Sequence, residues 1–267
     1  MHPLPRQLLN TAQVELWPAW LLRARANADA RTIAQSRWVL RRKSDGGFLA
    51  ASGPGGLRKF RHAPRAPAGW DAALLALESA EHPAPPQGAL PIHGLEERLA
   101  QLGLDADAYA SASGLALVPE PARLQLADFD RWRRPLWLRA DAARAWSRMR
   151  AAAARDDVLL EAVSGYRSHD YQLGIFARKR ARGLSVAEIL AVNAAPGFSE
   201  HHSGLALDVS TPGDAPAEES FEATPAFDWL QSHAATHGFS MSYPRDNPHG
   251  IVHEPWHWAY APGHLAG

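Results

Sequence analysis

The sequence contains no cysteine among its 267 residues. Disulfide bonds, thiolate zinc sites, iron–sulfur clusters and a cysteine nucleophile are therefore excluded. The chain must be stabilised by an apolar core instead, and its 46% of hydrophobic and 21% of charged residues are typical of a globular protein. Any metal ion must be held by histidine and carboxylate side chains, and thirteen histidines are available.

The 28 basic and 28 acidic side chains cancel, but they are unevenly distributed. Residues 1–70 contain twelve Arg or Lys against three Asp or Glu, a net charge of about +9. The zero net charge of the whole chain predicts no nucleic-acid partner. For the basic N-terminal part we keep two interpretations, a solvated surface and a surface that binds an anionic polymer.

Two further absences bear on the compartment. No stretch approaches 18 consecutive apolar residues, which predicts that the chain has no transmembrane segment. The first ten residues, MHPLPRQLLN, lack the apolar run and cleavage site of a signal peptide, so we expect either a cytoplasmic protein or a leader that lies outside this sequence.

The order of the predicted elements indicates an α+β protein in two parts. Residues 4–35 predict a helix or helix pair, residues 36–50 a β-hairpin, and residues 70–81 a helix. Residues 82–93 contain four prolines and a glycine, so we expect a linker there. We therefore divide the chain into an N-terminal α+β unit (1–90), a linker with a connecting helix (91–118) and a second α+β domain (119–267).

The second domain is predicted to combine capped helices with short apolar strands. Ser168 and Thr224 are expected N-caps, Ser185 and Glu188 form a capping box, and Asp141 is an acidic cap. Strands are expected over 158–163, 205–210, 239–242 and 256–260.

Residues 253–257 read HEPWH, which matches the H-E-x-x-H motif of zinc proteases. In that motif the two histidines reach one metal only if they lie on a helix. Pro255 would remove a hydrogen bond from such a helix, at a cost of about 3 kcal/mol, and it favours an extended conformation for Glu254. We therefore reject the helical zinc-protease interpretation, and we expect Glu254 in a turn before the strand that carries His257.

A second motif, SEHHSGLALD, supplies further candidate metal ligands. Asp208 lies on the strand predicted over 205–210, and His201 lies in the loop just before that strand. With His257 they give two imidazoles and one carboxylate, the ligand set of an open catalytic zinc site. Glu254 is the best candidate for a base that accepts a proton from water there.

A third motif, SGYRS, contains Arg167, and Gln172 follows five residues later. The guanidinium of Arg167 can bind a substrate carboxylate or stabilise a developing oxyanion. Taken singly, each of these residues also has a structural interpretation, such as an ion pair or a buried histidine. No chemical role is assigned to four other histidines: His202, His249, His253 and His264.

The motifs Tyr-Arg-Ser…Gln, Ser-x-His-x-x-Gly-x-Ala-x-Asp and Glu-x-Trp-His, in this order, resemble those of the VanY-like D-alanyl-D-alanine carboxypeptidases. The wider group includes D-Ala-D-Ala dipeptidases, LD-carboxypeptidases and the Hedgehog signalling domain. The resemblance covers roughly residues 120–262. It implies one zinc ion per chain, Glu254 as the catalytic base and Arg167 as a contact to the substrate or transition state. The implied zinc ligands are His201, Asp208 and His257, and Gln172 and Ser199 match positions near the substrate.

The same resemblance implies a fold and a reaction. The fold is a small α+β domain, Hedgehog/D-Ala-D-Ala peptidase-like, with a central antiparallel sheet and flanking helices; the N-terminal α+β unit lies outside it. The reaction is zinc-dependent hydrolysis of the C-terminal peptide bond of peptidoglycan stem peptides or muropeptides, with D-alanine as the leaving group. An LD-carboxypeptidase, a cross-link endopeptidase and a non-catalytic zinc module that binds wall peptides stay as alternatives. The substrate class favours the periplasm or cell envelope, and cytoplasmic recycling of wall fragments would reconcile it with the lack of a signal peptide.

Overall fold

The computed structural model describes residues 4–24, 26–80, 88–92 and 94–261. Most of the expected linker over 82–93 lies outside the described residues, and so does His264. Contacts group the chain into two compact units. The first combines the residues up to Ile92 with Glu120–Gln125, and the second combines residues 93–119 with those from Leu126 onward.

The first unit is built on an antiparallel sheet. Its elements are β1 (Gln7–Asn10), β2 (Val14–Pro18), α1 (Asn27–Ala34), β3 (Trp38–Arg42), β4 (Phe48–Gly53), β5 (Gly56–Lys59) and α2 (Trp70–Ser79). The strand order is β5-β4-β3-β2-β1, and residues 123–125 pair with β1 on its free edge. Buried apolar side chains of the sheet, among them Leu16, Trp38 and Leu40, pack against α2.

The helix or helix pair predicted over 4–35 is wrong for its first half, which forms β1 and β2, and correct only over Asn27–Ala34. The Leu, Ala and Arg of this segment favour helix intrinsically. Leu8, Leu9 and Val14 are nevertheless buried in the sheet, and this packing outweighs the local preference. The hairpin predicted over 36–50 and the helix predicted over 70–81 are confirmed by β3, β4 and α2.

The second unit is a mixture of helices and short strands. Their bounds are α3 (Leu95–Gln101), α4 (Ala106–Ser113), β6 (Arg123–Phe129, which begins in the first unit), β7 (Pro135–Leu138), α5 (Ala140–Arg155), β8 (Glu161–Ser164), α6 (His169–Ala181), α7 (Val186–Ala191), β9 (Ala206–Ser210), α8 (Pro225–His233), β10 (Phe239–Met241) and β11 (His257–Tyr260).

An antiparallel sheet with the order β10-β11-β9-β8 forms the centre of this unit. One face of the sheet packs against α5 and α8, with Trp146, Leu207, Leu230 and Trp258 in a common core. The expected α+β class, with a small central antiparallel sheet and flanking helices, is confirmed. Within the described ranges, no helix has the length and apolar character needed to cross a membrane.

Three of the four helix caps predicted from the sequence are confirmed. The side chains of Ser168 and Thr224 accept hydrogen bonds from backbone N–H groups of α6 and α8, and the Ser185–Glu188 capping box is present. The acidic cap expected at Asp141 is wrong, because Arg139 occupies the N-cap position of α5 without a side-chain hydrogen bond. Asp141 lies in the first turn instead, where its negative charge still complements the helix dipole.

Candidate metal centre and active site

The register of the central sheet brings Asp208 and His257 together. The two residues are direct partners across the antiparallel pair β9 and β11, so their side chains project from the same face. His257 Nδ1 lies 3.2 Å from Asp208 Oδ1. The residues just before His257 form a turn closed by a 3.1 Å hydrogen bond from His257 N–H to the Glu254 carbonyl. The rejection of a helical H-E-x-x-H motif and the expected turn at Glu254 are therefore confirmed.

His201 enters the same site from the short 3₁₀ helix Glu200–Ser203, which ends at Gly204 with a φ of 68°. His201 Nδ1 donates to the Gly165 carbonyl at 2.7 Å, so Nε2 carries the lone pair. Nε2 lies 3.2 Å from Asp208 Oδ1, yet it is buried and has no hydrogen-bond partner among the described residues. A buried imidazole nitrogen in this state is suited to accept a metal ion.

His201, Asp208 and His257 are all buried, and each offers one ligand atom within 4.8 Å of the others. Neutral imidazole and carboxylate are ligands that zinc binds readily, and three protein ligands leave room for a water molecule or substrate. The residues present therefore fit a catalytic zinc ion.

The pKa values of these groups reflect burial and their mutual contacts. Burial and the nearby charge of Arg167 lower the pKa of His201 to about 4, which keeps this imidazole neutral. Burial opposes ionisation of Asp208, but its close contacts with the His201 and His257 imidazoles outweigh burial and hold its pKa well below the usual range. Burial likewise opposes protonation of His257, but its hydrogen bonds to Asp208 and Glu200 raise its pKa to about 10. Without a metal this imidazole is therefore protonated, and it must release a proton when it binds one. The carboxylate thus stays ionised, as a metal ligand must.

Glu254 lies beside the three candidate ligands. Its Oε2 is 3.9 Å from His257 Nδ1. Burial raises the pKa of Glu254 to about 7, because its effect outweighs that of the His257 charge, which lowers the pKa. A carboxyl group with a pKa near neutrality both accepts and returns protons readily, as a general acid–base residue does.

Glu200 has a place in the site that the sequence motifs do not assign to it. Its Oε2 lies 2.7 Å from His257 Nε2, on the side of the ring away from Asp208. A carboxylate in this position orients a metal-binding imidazole and fixes its tautomer. The only signal in the sequence is the position of Glu200 directly before His201.

One cavity of about 370 Å³ connects these groups. Gln172 is held in its wall by a 3.1 Å hydrogen bond from Nε2 to the Ala194 carbonyl, while its Oε1 is buried without a partner among the described residues. The cavity lining also includes Lys179 and Tyr243, which belong to none of the sequence motifs. All seven residues singled out by the sequence line this cavity: Arg167, Gln172, Ser199, His201, Asp208, Glu254 and His257.

The histidines without an assigned role have other contacts in the structure. His202 Nδ1 donates to the Arg167 carbonyl at 2.7 Å, and its Nε2 accepts from Gly197 N–H at 3.0 Å. His202 therefore fixes the backbone that carries Arg167. His253 lies 3.5 Å from Glu222, and His249 Nδ1 lies 2.8 Å from the Ser113 carbonyl.

Two buried imidazoles and a buried carboxylate share one cavity with Glu254 and Arg167, and these are side chains that a metal-dependent hydrolase can use. Residues 135–263 match the family model described as VanY, D-alanyl-D-alanine carboxypeptidase. The chain is 36% identical over 150 residues to the putative carboxypeptidase YodJ of Bacillus subtilis (strain 168), covering 53% of this chain and 54% of that protein. It is 32% identical over 148 residues to the bifunctional D-Ala-D-Ala dipeptidase and carboxypeptidase VanXYC of Enterococcus gallinarum, covering 53% of this chain and 75% of that protein. The chain belongs to the VanY family of D-alanyl-D-alanine carboxypeptidases.

Two solved structures are also similar to this chain. The LdcB LD-carboxypeptidase is 33% identical with a TM-score of 0.48, covering 51% of this chain and 67% of its own. A VanY D,D-pentapeptidase variant in complex with Zn(II) is 28% identical with a TM-score of 0.40, covering 47% of this chain and 74% of its own. The match to this chain covers about half of the length of YodJ, namely 54%.

Proposed function

We propose that this chain is a zinc-dependent D-alanyl-D-alanine carboxypeptidase that releases D-alanine from the C-terminus of peptidoglycan stem peptides. The observation that carries the proposal is the buried group of His201, Asp208 and His257 with Glu254 beside it, 3.9 Å from His257. A purely structural zinc site has no need of a base whose pKa is raised to about 7. Membership of the VanY family supports the same reaction class.

Each residue has a distinct part in this reaction. His201, Asp208 and His257 would hold the zinc ion, which when bound supplies a Lewis acid that activates water and polarises a carbonyl group. Glu254 accepts a proton from the attacking water and then donates it to the nitrogen of the leaving amine. Arg167 donates hydrogen bonds to the carbonyl oxygen as negative charge develops on it.

The test combines zinc analysis of the purified protein with mass spectrometry of its products. The substrates are stem pentapeptide and tetrapeptide. We expect one zinc ion per chain, and loss of one D-alanine from the pentapeptide. Cleavage of the tetrapeptide alone would identify an LD-carboxypeptidase instead, and cleavage between cross-linked stems an endopeptidase. Bound zinc without any cleavage would favour a non-catalytic module.

The role of Glu254 has its own test. Glu254→Ala should keep the zinc content and lose turnover by roughly 10²- to 10⁴-fold, the usual contribution of a general acid–base group. Glu96→Ala, which removes an exposed carboxylate of α3, should leave both quantities unchanged. If Glu254→Ala hydrolyses the substrate at the parent's rate, Glu254 is not the base.

A further inference from the structure

The segment between β8 and α6, which carries Arg167, is attached to the 3₁₀ helix Glu200–Ser203 by three hydrogen bonds. His201 Nδ1 donates to the Gly165 carbonyl at 2.7 Å, and Arg167 N–H donates to the His201 carbonyl at 3.2 Å. The third bond runs from His202 Nδ1 to the Arg167 carbonyl at 2.7 Å. Two of these bonds involve the backbone of Arg167, so the 3₁₀ helix determines where its side chain begins.

His202 is a fully buried imidazole with a defined tautomer. Its Nε2 accepts a hydrogen bond from Gly197 N–H at 3.0 Å, so the proton of the neutral ring is on Nδ1, which faces the Arg167 carbonyl. The ring also packs edge-on against His169, with centroids 4.5 Å apart, and His169 Nε2 lies 2.8 Å from the Val118 carbonyl. The imidazole cannot turn away from Arg167 without losing these contacts.

The position of Arg167 matters because its guanidinium is proposed to act on one atom of the substrate. Arg167 lines the cavity together with His201 and Glu254, and its Nε is buried without a hydrogen-bond partner among the described residues. That nitrogen therefore does not fix the direction of the side chain, which depends on the backbone from which it extends. A catalytic group misplaced by about 1 Å can cost roughly 100-fold in rate.

We infer that His202 is a positioning residue for Arg167, which holds the guanidinium where negative charge develops on the scissile carbonyl oxygen. The inference rests on the proposed function. His202 is not among the described residues that line the cavity, so it acts through Arg167 and not on the substrate. Because that charge develops only in the transition state, loss of His202 lowers kcat and leaves KM nearly unchanged.

The first experiment measures steady-state kinetics on a stem pentapeptide with the zinc-loaded full chain and three variants. His202→Leu removes both ring nitrogens. His202→Asn places an amide nitrogen at the position of Nδ1, so it keeps the donor to Arg167 and loses only the bond to Gly197. His233→Leu is the matched control, because His233 Nδ1 makes a similar contact with the Trp229 carbonyl, at 2.9 Å, from an exposed position of α8.

We expect His202→Leu to lower kcat by roughly 10- to 100-fold at the zinc content of the parent. His202→Asn and His233→Leu should keep most of the parent's kcat. Chemical denaturation checks that each variant folds, since His202→Leu deprives two backbone groups of their partner. A folded His202→Leu with unchanged kcat or with lost zinc overturns the inference. So does a folded His202→Asn with a strongly lowered kcat, which decides the matter if His202→Leu does not fold.

A double-mutant cycle with Arg167→Met distinguishes positioning from a general structural role. If His202 acts only through the guanidinium, His202→Leu should lower kcat/KM no further once Arg167 has been replaced. The same fold-loss in both backgrounds would mean that His202 does not act through Arg167.

A measurement without turnover separates this inference from the proposed function. Arg167 Nε is buried, so its proton should exchange slowly with solvent, and its NMR signal is assigned by its absence from Arg167→Met. We expect faster exchange in His202→Leu than in the parent or in His202→Asn, whether or not the peptide is cleaved. Equal exchange in the parent and His202→Leu refutes the role of His202 while the proposed hydrolysis is unaffected.

Discussion

His257 lies between two carboxylates: its Nε2 is 2.7 Å from Glu200 Oε2, and its Nδ1 is 3.2 Å from Asp208 Oδ1. When Nε2–H donates to Glu200, Nδ1 is left to face Asp208 and the candidate metal position. His201 has the opposite arrangement, since its Nδ1 donates to the Gly165 carbonyl and Nε2 faces Asp208. Each imidazole is thus fixed by a hydrogen bond on the side away from the candidate metal position.

Replacing Glu200 by glutamine should weaken zinc binding. The glutamine side chain keeps the size of glutamate but loses the charge that orients His257, and loss of such a partner typically costs roughly 10- to 100-fold in metal affinity. Competition with a chromophoric chelator measures the affinity directly, without reference to turnover. Glu96→Gln, on the exposed face of α3, is the matched control and should bind zinc as the parent does. Equal affinities for the two variants would show that Glu200 does not orient His257.

Gly165 should not tolerate a side chain. A Cβ at this position would lie 2.8 Å from the Trp137 carbonyl oxygen and 2.9 Å from Leu136 Cδ1. Gly165→Ala must therefore shift the backbone whose carbonyl holds His201, with an overpacking cost of about 1–3 kcal/mol. We expect a lower midpoint of chemical denaturation together with weaker zinc binding.

Gly174→Ala is the control for this substitution. Gly174 lies within α6, and a Cβ there would meet only the flexible guanidinium of Arg178, at 3.1 Å. Alanine favours a helix by about 0.5–1 kcal/mol over glycine, so this variant should be as stable as the parent or more stable. If Gly165→Ala proves equally harmless, the close approach of β7 does not position His201.

The two histidines of HEPWH should respond differently to replacement. His257→Ala removes a candidate ligand and should abolish stoichiometric zinc binding, whereas His253→Ala should retain one zinc ion per chain. His253 contacts Glu222 at 3.5 Å and does not belong to the buried ligand group. Metal analysis after dialysis against a weak chelator measures both variants, and circular dichroism checks that they fold. Loss of zinc from His253→Ala would require a different ligand set.

Local signals in the sequence are sufficient to predict several parts of this site. Pro255 is incompatible with a helix, which predicts the turn before His257, and Ser168 predicts the start of α6 directly after Arg167. The short apolar segment 205–210 predicts the strand that carries Asp208. Each of these signals acts over a few residues, where backbone sterics and capping decide the conformation.

Other parts depend on contacts that are distant in the sequence. Asp208 and His257 are paired across β9 and β11, and no pattern within either strand specifies that register. The direction of the Glu200 side chain depends on the 3₁₀ turn that also orients His201. The helix prediction fails at β1 and β2 for a related reason, because burial within a sheet outweighs the helix propensity of leucine, alanine and arginine.

The first unit contains a buried ion pair whose disruption should destabilise it. Lys43 Nζ contacts Glu120 Oε2, which also accepts from Asn10 Nδ2 at 3.1 Å, and the two charged side chains are only 0% and 5% exposed. Lys43→Met removes the buried positive charge that Glu120 contacts, at a cost of about 3–5 kcal/mol. Lys59→Met at an exposed position of β5 should cost less than about 1 kcal/mol.

Lys43→Met combined with Glu120→Gln removes both charges of the pair. The double variant should therefore lose less free energy of unfolding, measured by urea denaturation, than the sum of the losses of the two single variants. Additive losses would mean that the pair contributes nothing through its charges.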